Sequence, residues 1–182
     1  AVSVGLIVAV KGLGGIELMA DTGHPAAVRR LLNAARHTVK SLPVMYPSLT
    51  MLKEHVSLCE TEERILRSPA APVLVFDDES ADRRDRNAPA SALLPYTPLQ
   101  HLLLRHIGTP VTLARAVHFG EPHCIDEVEA LARFRHTADF YLVHNWPIGR
   151  SVDGSVIRVV EGREVVLRRG RGLLPMPLAQ GA

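Results

Sequence analysis

Apolar residues along the chain fall into short continuous runs and into longer stretches with helical spacing. Residues 4–10 (VGLIVAV) form a nearly unbroken apolar run that leads into KGLGG at residues 11–15, which predicts a buried strand followed by a tight turn. Residues 25–37 place apolar side chains three and four positions apart behind a proline suited to a first helical turn. The pattern therefore predicts a strand, a glycine turn and a helix, in that order.

The remaining elements follow the same two periodicities. Helices are predicted at residues 48–56, 61–66, 98–107 and 126–134, with Thr61 as the N-cap of the second. Strands are predicted at residues 42–46, 71–76, 110–113, 140–143, 155–160 and 164–167, with a hairpin turn at 161–163. Residues 77–92 are polar and charge-mixed, which predicts a long surface loop. This order predicts one mixed α/β (α+β) domain over residues 1–182, with its core at about residues 4–178.

Composition and charge are those of an ordinary folded domain. Of the 182 residues, 47% are hydrophobic and 22% are charged, and a net charge of +2 argues against a chain that binds nucleic acid through its overall charge. No apolar run reaches the about 20 residues needed to cross a bilayer, so we expect no membrane contact. Two cysteines cannot form a disulfide framework, and we expect a reduced, cytoplasmic protein.

The basic residues are unevenly distributed. Of 21 basic residues 18 are arginine, and six of these lie within residues 150–171: Arg150, Arg158, Arg163, Arg168, Arg169 and Arg171. Converging guanidinium groups would suit a triphosphate or an RNA backbone, and the alternative is a solvated hairpin face. The KGLGG turn leaves a similar choice open, between an anion-binding loop and a purely structural turn.

The histidines and cysteines give no metal frame. His118, His123 and Cys124, with Asp126 nearby, have a spacing that matches no known zinc motif, so we predict no metal site held by the protein. A G-x-S-x-G nucleophile elbow is absent from the sequence. The catalytic residues are therefore left unknown.

Several motifs together resemble one known family. They are KGLGG at 11–15, KSLPVM at 40–45, SPAAPVLV at 68–75, LLPYTPLQHLLL at 93–104, GEP at 120–122, PIGRSVDGSVIRV at 147–159 and LRRGRGLLP at 167–175. In this order they resemble the YrdC-like domain of the HypF carbamoyltransferases, which mature nickel–iron hydrogenases. The resemblance extends from about residue 6 to about residue 178, and its most specific parts are LLPYTPLQHLLL and LRRGRG.

The resemblance implies both a fold and a reaction. The fold would be a twisted mixed sheet flanked by helices, with a basic concave face. The reaction would use ATP and Mg²⁺ to form an acyl adenylate: carbamoyl-AMP in the HypF branch, or threonylcarbamoyl-AMP in the branch that serves transfer-RNA modification. Such a reaction needs cations around the triphosphate and no covalent nucleophile on the enzyme.

The resemblance gives a set of candidate nucleotide-binding residues, in which Arg36 stands between two basic positions of the family pattern and would compensate for one of them. The candidates are Lys11, Arg36, Lys40, Asp153, Ser155, Arg158, Arg168, Arg169 and Arg171. By the resemblance, Lys11 and Lys40 approach the phosphates. Arg168, Arg169 and Arg171 form a basic wall, and Asp153 and Ser155 orient the ligand or a magnesium-bound water.

Three segments depart from the family pattern. AARHTVKS at 34–41 replaces a basic R-K-x-R-P-x-K-P stretch, ARAV at 114–117 replaces T-S-G-N, and SVDGS at 151–155 replaces R-V-D-D-S. The hydroxyl and amide groups of T-S-G-N are missing, and a valine cannot supply the hydrogen bonds of an asparagine. We therefore expect the adenylating activity to be weakened or lost.

Two classes of function remain open from the sequence. The first is the carbamoyl-AMP-forming domain, whose partners would be hydrogenase maturation proteins or a separate carbamoyl-transferring domain. The second is a non-catalytic module that holds double-stranded RNA or transfer RNA, or another protein, on its basic face. RNA binding through phosphates would weaken steeply as salt is added.

Overall fold

A nine-stranded mixed sheet forms the centre of this computed structural model, which describes residues 1–35, 41–76, 89–116 and 122–176. The strands are β1 (Val8–Lys11), β2 (Ile16–Asp21), β3 (Val44–Met45), β4 (Val73–Val75), β5 (Ser91–Leu93), β6 (Val111–Arg115), β7 (Phe140–Leu142), β8 (Val156–Val160) and β9 (Arg163–Arg168). Their order across the sheet is β7-β1-β2-β6-β3-β5-β4-β8-β9. The pairs β7-β1, β3-β5 and β4-β8 are parallel, and the other neighbours are antiparallel.

Five α-helices and a short 3-10 helix accompany the sheet in the described ranges. They are the 3-10 helix (Val2–Val4), α1 (Pro25–Ala35), α2 (Leu49–His55), α3 (Glu60–Leu66), α4 (Pro98–Ile107) and α5 (Glu127–Phe134). The longest of them, α1, has 11 residues. None of these described helices combines the length and the apolar character that a bilayer crossing requires.

The described helices are distributed unequally over the two faces of the sheet. On one face, Leu31 of α1 and Phe134 of α5 join one buried cluster, and Leu52 of α2 and Ile65 of α3 join another. The opposite face packs against α4, through Leu104, and against the 3-10 helix. Because one helix of 10 residues cannot cover nine strands, the described helices leave part of the α4 face uncovered, and a cleft lies there.

The predicted mixed α/β fold is confirmed, and agreement is closest where the sequence carries start and stop signals. Helix α4 has the predicted bounds because the Thr97 side chain accepts a hydrogen bond from the Gln100 amide, and Gly108 ends the helix at a φ of 78°. The predicted hairpin near the carboxyl end is formed by β8 and β9. Glu161 and Gly162 join these strands at φ values of 50° and 75°.

Three local predictions are wrong. The KGLGG turn does not lead into a helix: it joins β1 to the antiparallel strand β2. Glu17 interrupts the apolar residues of β2, so this segment shows neither an unbroken apolar run nor a strict alternation that would mark a strand. The predicted loop at 77–92 extends too far, because residues 91–93 form strand β5. Residues 77–88 of that prediction lie outside the described residues. Cys59, not Thr61, is the N-cap of α3, and its amide donates a hydrogen bond to the Glu62 carboxylate.

Candidate functional site

The open part of the α4 face is a cleft with a volume of about 800 Å³. Val73, Val75 and Val156 contribute apolar surface to it from β4 and β8. The charged side chains among its described lining residues are Glu17, Arg115, Asp153, Arg158, Arg168 and Arg171. Four guanidinium groups thus face two carboxylates in this part of the chain, which leaves the cleft with an excess of positive charge.

Arg115, Asp153 and Arg168 form an ionic cluster at one end of the cleft, called here the arginine–aspartate cluster. Arg115 Nη1 donates a hydrogen bond to Asp153 Oδ1, and Arg168 Nη1 lies 3.9 Å from Asp153 Oδ2. Arg168 is fixed further by a 3.1 Å hydrogen bond from its Nε to the Gly154 carbonyl. A single carboxylate therefore holds one arginine from β6 by a hydrogen bond and lies within ion-pair distance of another from β9.

The charges in this cluster shift one another's pKa values. Burial acts to raise the pKa of Asp153, but the hydrogen bond and charge of Arg115, together with the charge of Arg168, outweigh burial and lower it. Burial, followed by the like charge of Arg115, lowers the pKa of Arg168. The two guanidinium groups repel each other, so an anion between or beside them is favoured.

Glycines allow the backbone segments of the cluster to meet. The Val152 amide donates a 2.9 Å hydrogen bond to the Gly14 carbonyl, and a Cβ at Gly14 would collide with the backbone of Val152. A Cβ at Gly170 would likewise collide with the carbonyl of Asp153. Part of the KGLGG turn therefore serves to hold the segment that carries Asp153.

A second network, called here the tyrosine network, lies elsewhere along the same cleft and contains Glu17, Tyr96, Gln100 and Arg171. The Arg171 guanidinium lies 3.6 Å from the centre of the Tyr96 ring, a cation–π contact. Tyr96 Oη donates a 2.8 Å hydrogen bond to Glu17 Oε1, and Gln100 Nε2 donates one of 3.1 Å to Glu17 Oε2. Burial and then the nearby Glu17 charge raise the pKa of Tyr96, so the phenol stays protonated.

His123 also lines the cleft and is almost fully buried. Its Nε2 lies 2.6 Å from the Ile16 carbonyl, which requires the proton on Nε2 when the ring is neutral. Its Nδ1 is buried with no hydrogen-bond partner in the described part of the chain. Burial is the main cause of its lowered pKa, so the ring is neutral at pH 7. The ring packs against Gly15, where a Cβ would collide with it.

The structure brings together four of the nine predicted site residues. Asp153, Arg158, Arg168 and Arg171 all line the cleft, and their role there stays a prediction. Arg36 and Lys40 lie outside the described residues.

Lys11 is not placed in the cleft. It is 2% exposed, and its Nζ donates hydrogen bonds to Glu127 Oε2 at 2.8 Å and to the His144 carbonyl at 3.1 Å. The Lys11 hydrogen bond is the main cause of the lowered pKa of Glu127. Lys11 is directly opposite Ile16 in the β1–β2 pair, so the two side chains lie on the same face of the sheet. Ile16 belongs to the buried cluster that packs against α1 and α5. Arg115 is opposite Glu17, the next residue of β2, and therefore lies on the other face. The expectation that Lys11 approaches bound phosphates is corrected by this placement.

Ser155 and Arg169 are likewise structural in this fold. Ser155 is fully buried, and its hydroxyl donates to the Arg171 carbonyl at 2.9 Å and accepts from the Gly170 amide at 3.0 Å. Arg169 Nη2 donates to the carbonyls of Leu173 and Met176. Ser155 therefore fastens the segment that carries Arg171, and neither side chain lines the cleft.

Four lining residues were missed by sequence reasoning: Glu17, Tyr96, Arg115 and His123. Tyr96 lies inside the motif LLPYTPLQHLLL, which indicates the family but does not show what the tyrosine contacts. Arg115 lies in the segment that departs from the T-S-G-N pattern, where the sequence indicates a loss of binding groups and not a gain. Its pairing with Asp153 spans 38 residues of sequence, and no local pattern reports such a contact.

No group of three or more His, Cys, Asp or Glu side chains in the described ranges is arranged to hold a metal ion. Cys124 is buried, and burial raises the pKa of its thiol to about 11. Its Sγ donates a hydrogen bond to the Asp126 carbonyl. The thiol is therefore protonated at neutral pH and unsuited to act as a metal ligand or nucleophile.

Comparisons with known proteins agree on one family. Residues 1–170 match the family model for Sua5, YciO and YrdC proteins, described as "Telomere recombination". The chain is 37% identical over 180 residues to carbamoyltransferase HypF of Synechocystis sp., covering 96% of this chain and 24% of that protein. It is 35% identical over 183 residues to HypF of Rhodobacter capsulatus, covering 97% of this chain and 24% of that protein. The chain thus spans about a quarter of the length of these curated relatives.

Solved structures show the same relationship. Full-length HypF in a phosphate- and nucleotide-bound form superposes with a TM-score of 0.84 at 30% identity, covering 97% of this chain and 29% of that one. Sua5 of P. abyssi, complexed with L-threonine, superposes with a TM-score of 0.73 at 19% identity, covering 93% of this chain and 52% of that one. The second match shows a shared fold alone.

The lowered pKa of Asp153 predicts a pH-dependent contribution to stability. A carboxylate whose pKa is lowered by folding stabilises the native state above its unfolded pKa of about 3.9, and this contribution is lost as the pH falls through the folded value. We therefore expect Asp153→Asn to lower the free energy of unfolding at neutral pH, and the difference from wild type to shrink below about pH 4. Urea denaturation of both proteins at about pH 6 and about pH 3 measures this difference in the free energy of unfolding. An equal difference at both pH values would contradict the ionic role given to Asp153.

Proposed function

Because the chain belongs to the Sua5/YciO/YrdC family, we propose that it is a HypF-type YrdC-like domain that binds ATP in the cleft and joins a carbamate to its AMP part. The observation that carries this proposal is the convergence of Arg115, Arg158, Arg168 and Arg171 on one cleft. They come from β6, β8, β9 and the segment after β9, so the fold itself gathers them.

The charge balance of the cleft favours a polyanion. Like charges that share a partly buried space repel one another, and a bound triphosphate would turn this repulsion into attraction. Guanidinium groups also present planar pairs of N–H donors that match the oxygens of a phosphate. The cleft volume of about 800 Å³ is within the range for nucleotide-sized ligands.

In the proposed reaction a carbamate oxygen attacks the α-phosphorus of ATP. The new O–P bond forms as the bond between the α-phosphorus and the bridging oxygen breaks, and pyrophosphate leaves with the electron pair. Carbamate and ATP thus give carbamoyl-AMP and pyrophosphate. Arg115 and Arg168 would bind phosphate oxygens and stabilise the negative charge that develops on the leaving group. The carboxylate of Asp153 would keep both guanidinium groups in position.

The cleft fits a magnesium ion that arrives on the nucleotide. Its described carboxylates, Glu17 and Asp153, already accept hydrogen bonds from Tyr96, Gln100 and Arg115. Magnesium is commonly held by substrate phosphates and waters with one or two carboxylates, so a protein-only cage is not required. The ion would neutralise part of the triphosphate charge when bound.

Arg115 gives a physical reason to expect nucleotide binding despite the missing T-S-G-N loop. It supplies a cation on β6, at the position where the family pattern T-S-G-N has its serine. A guanidinium binds phosphate at least as strongly as a neutral hydroxyl does. The weakened turnover expected from the sequence stays a prediction. Carbamoyl transfer to hydrogenase maturation proteins, which would need a separate transferring domain, stays one as well.

We expect Arg168→Ala to weaken binding of magnesium ATP by about 10- to 100-fold, because a charge-assisted hydrogen bond to phosphate is lost. Isothermal titration calorimetry measures the dissociation constant. Arg105→Ala is the matched control, since Arg105 is exposed on α4 and does not line the cleft.

Folded wild-type protein that binds no ATP at millimolar nucleotide would contradict the proposal. Equal affinities for Arg168→Ala and Arg105→Ala would also contradict it. RNA binding that weakens steeply with salt, in protein that binds no ATP, would favour the non-catalytic module instead.

Adenylation is tested by exchange of labelled pyrophosphate into ATP. We expect exchange in ammonium bicarbonate, which contains carbamate at equilibrium, and none in ammonium acetate of the same ionic strength. Arg168→Ala should slow the exchange, whereas Arg105→Ala should not. Exchange that requires L-threonine together with bicarbonate would instead assign threonylcarbamoyl-AMP synthesis. ATP binding without exchange under either condition would show that the adenylating activity is lost.

A further inference from the structure

We propose that Glu17, Tyr96 and Arg171 form the subsite that selects the acid to be adenylated, an inference that rests on the proposed function. Arg171 would bind an oxygen of the carboxyl group. Glu17 would accept a hydrogen bond from an N–H attached to the same carbon. The subsite would therefore take carbamates, whose carboxyl carbon carries nitrogen, in preference to simple carboxylic acids of the same size.

Arg171 is held rigidly enough to recognise a planar group. Its Nη1 and Nη2 donate hydrogen bonds to the carbonyls of Ala70 and Ala71 at 3.2 and 3.0 Å, and its guanidinium is stacked on Tyr96. Its backbone is fixed as well, because its carbonyl accepts from Ser155 and its amide donates to the Asp153 carbonyl. A guanidinium has five N–H donors, and these two carbonyls use two of them. A fixed fork of this kind suits the planar oxygens of a carboxyl group.

Glu17 supplies the complementary acceptor. Each of its carboxylate oxygens receives one hydrogen bond, from Tyr96 or from Gln100, and each can accept another. These two hydrogen bonds fix the carboxylate on the cleft wall, as expected for a group that must meet one particular ligand atom. Tyr96 is the positioning residue of the subsite, because its ring carries Arg171 and its hydroxyl holds Glu17.

The subsite lies next to the proposed phosphate site. Glu17 on β2 is directly opposite Arg115 on β6 in the antiparallel register, so the two side chains are neighbours on the same sheet face. An acid bound by Glu17 and Arg171 would therefore lie beside a phosphate bound by the arginine–aspartate cluster. This arrangement would bring the attacking oxygen close to the α-phosphorus.

Glu17 also provides a reason why the subsite would bind carbamate more tightly than acetate. Its negative charge beside the bound acid repels a second anionic group but attracts an N–H donor. In acetate a methyl group would replace the nitrogen, and the Glu17 carboxylate would lose water on binding without gaining a partner. Polar groups left unpaired in this way give strong selection against an isosteric ligand.

A pair of stable adenylate analogues tests this inference. One is 5′-O-(N-carbamoylsulfamoyl)adenosine and the other 5′-O-(N-acetylsulfamoyl)adenosine, which differ only in an NH₂ or CH₃ group. We expect wild-type protein to bind the carbamoyl compound about 10-fold or more tightly than the acetyl compound. Glu17→Gln should remove most of this preference, because the amide keeps an acceptor for Tyr96 but loses the charge. Glu54→Gln, an exposed change on α2, should keep it.

Arg171→Lys separates the two interactions. Lysine keeps the charge but lacks the planar fork, so both acylated analogues should bind more weakly by a similar factor, with the preference between them unchanged. The parent compound 5′-O-sulfamoyladenosine, which carries no acyl group, should lose less affinity for Arg171→Lys than the two acylated analogues do. An N-methylcarbamoyl analogue that binds as tightly as the unsubstituted one would assign N-substituted carbamates to the site. Weaker binding of that analogue would assign free carbamate.

The outcomes separate this inference from the function on which it rests. If wild type binds 5′-O-sulfamoyladenosine but binds the carbamoyl and acetyl compounds equally, the subsite is wrong and nucleotide binding stands. The same holds if Glu17→Gln retains the full preference. If none of the adenosine compounds binds to folded protein, the proposed function fails and the subsite fails with it.

Discussion

The contact of Asp153 with Arg115 and Arg168 is the interaction on which the candidate site depends. Two guanidinium groups from separate strands repel each other, and one carboxylate between them makes their proximity tolerable in the free protein. The cluster still carries one positive charge in excess. It is therefore stable when no ligand is present, and it remains attractive to an anion that can contact both arginines.

The position of this cluster follows from the way helices cover the sheet. In the described ranges four helices pack on one face, and α4 packs on the other with the 3-10 helix. The uncovered strands carry valines together with Arg115 and Arg158 on the same face. Glycines at 14 and 170 then let neighbouring backbones approach closely enough to bring Asp153 over that surface. In the described part of the chain, strands and closely packed turns thus produce an arginine-lined cleft.

Local signals in the sequence were sufficient for much of the fold but for little of the site. The bounds of α4 follow from Thr97, Pro98 and Gly108, whose effects act within one helical turn. The environment of Lys11 depends on Glu127, which is 116 residues away, so the sequence alone gives no sign of the ion pair that holds this lysine outside the cleft. The same limit applies to Tyr96 and Glu17, which are 79 residues apart. A motif can indicate that such residues matter, but their contacts arise only when distant strands are brought together.

A crystal structure with a non-hydrolysable ATP analogue and magnesium would test most directly whether the arginine–aspartate cluster binds the phosphates. We expect phosphate oxygens within hydrogen-bonding distance of the guanidinium groups of Arg115 and Arg168, inside the cleft. Nucleotide bound elsewhere on the molecule would contradict this expectation, as would a cleft that stays empty at millimolar nucleotide.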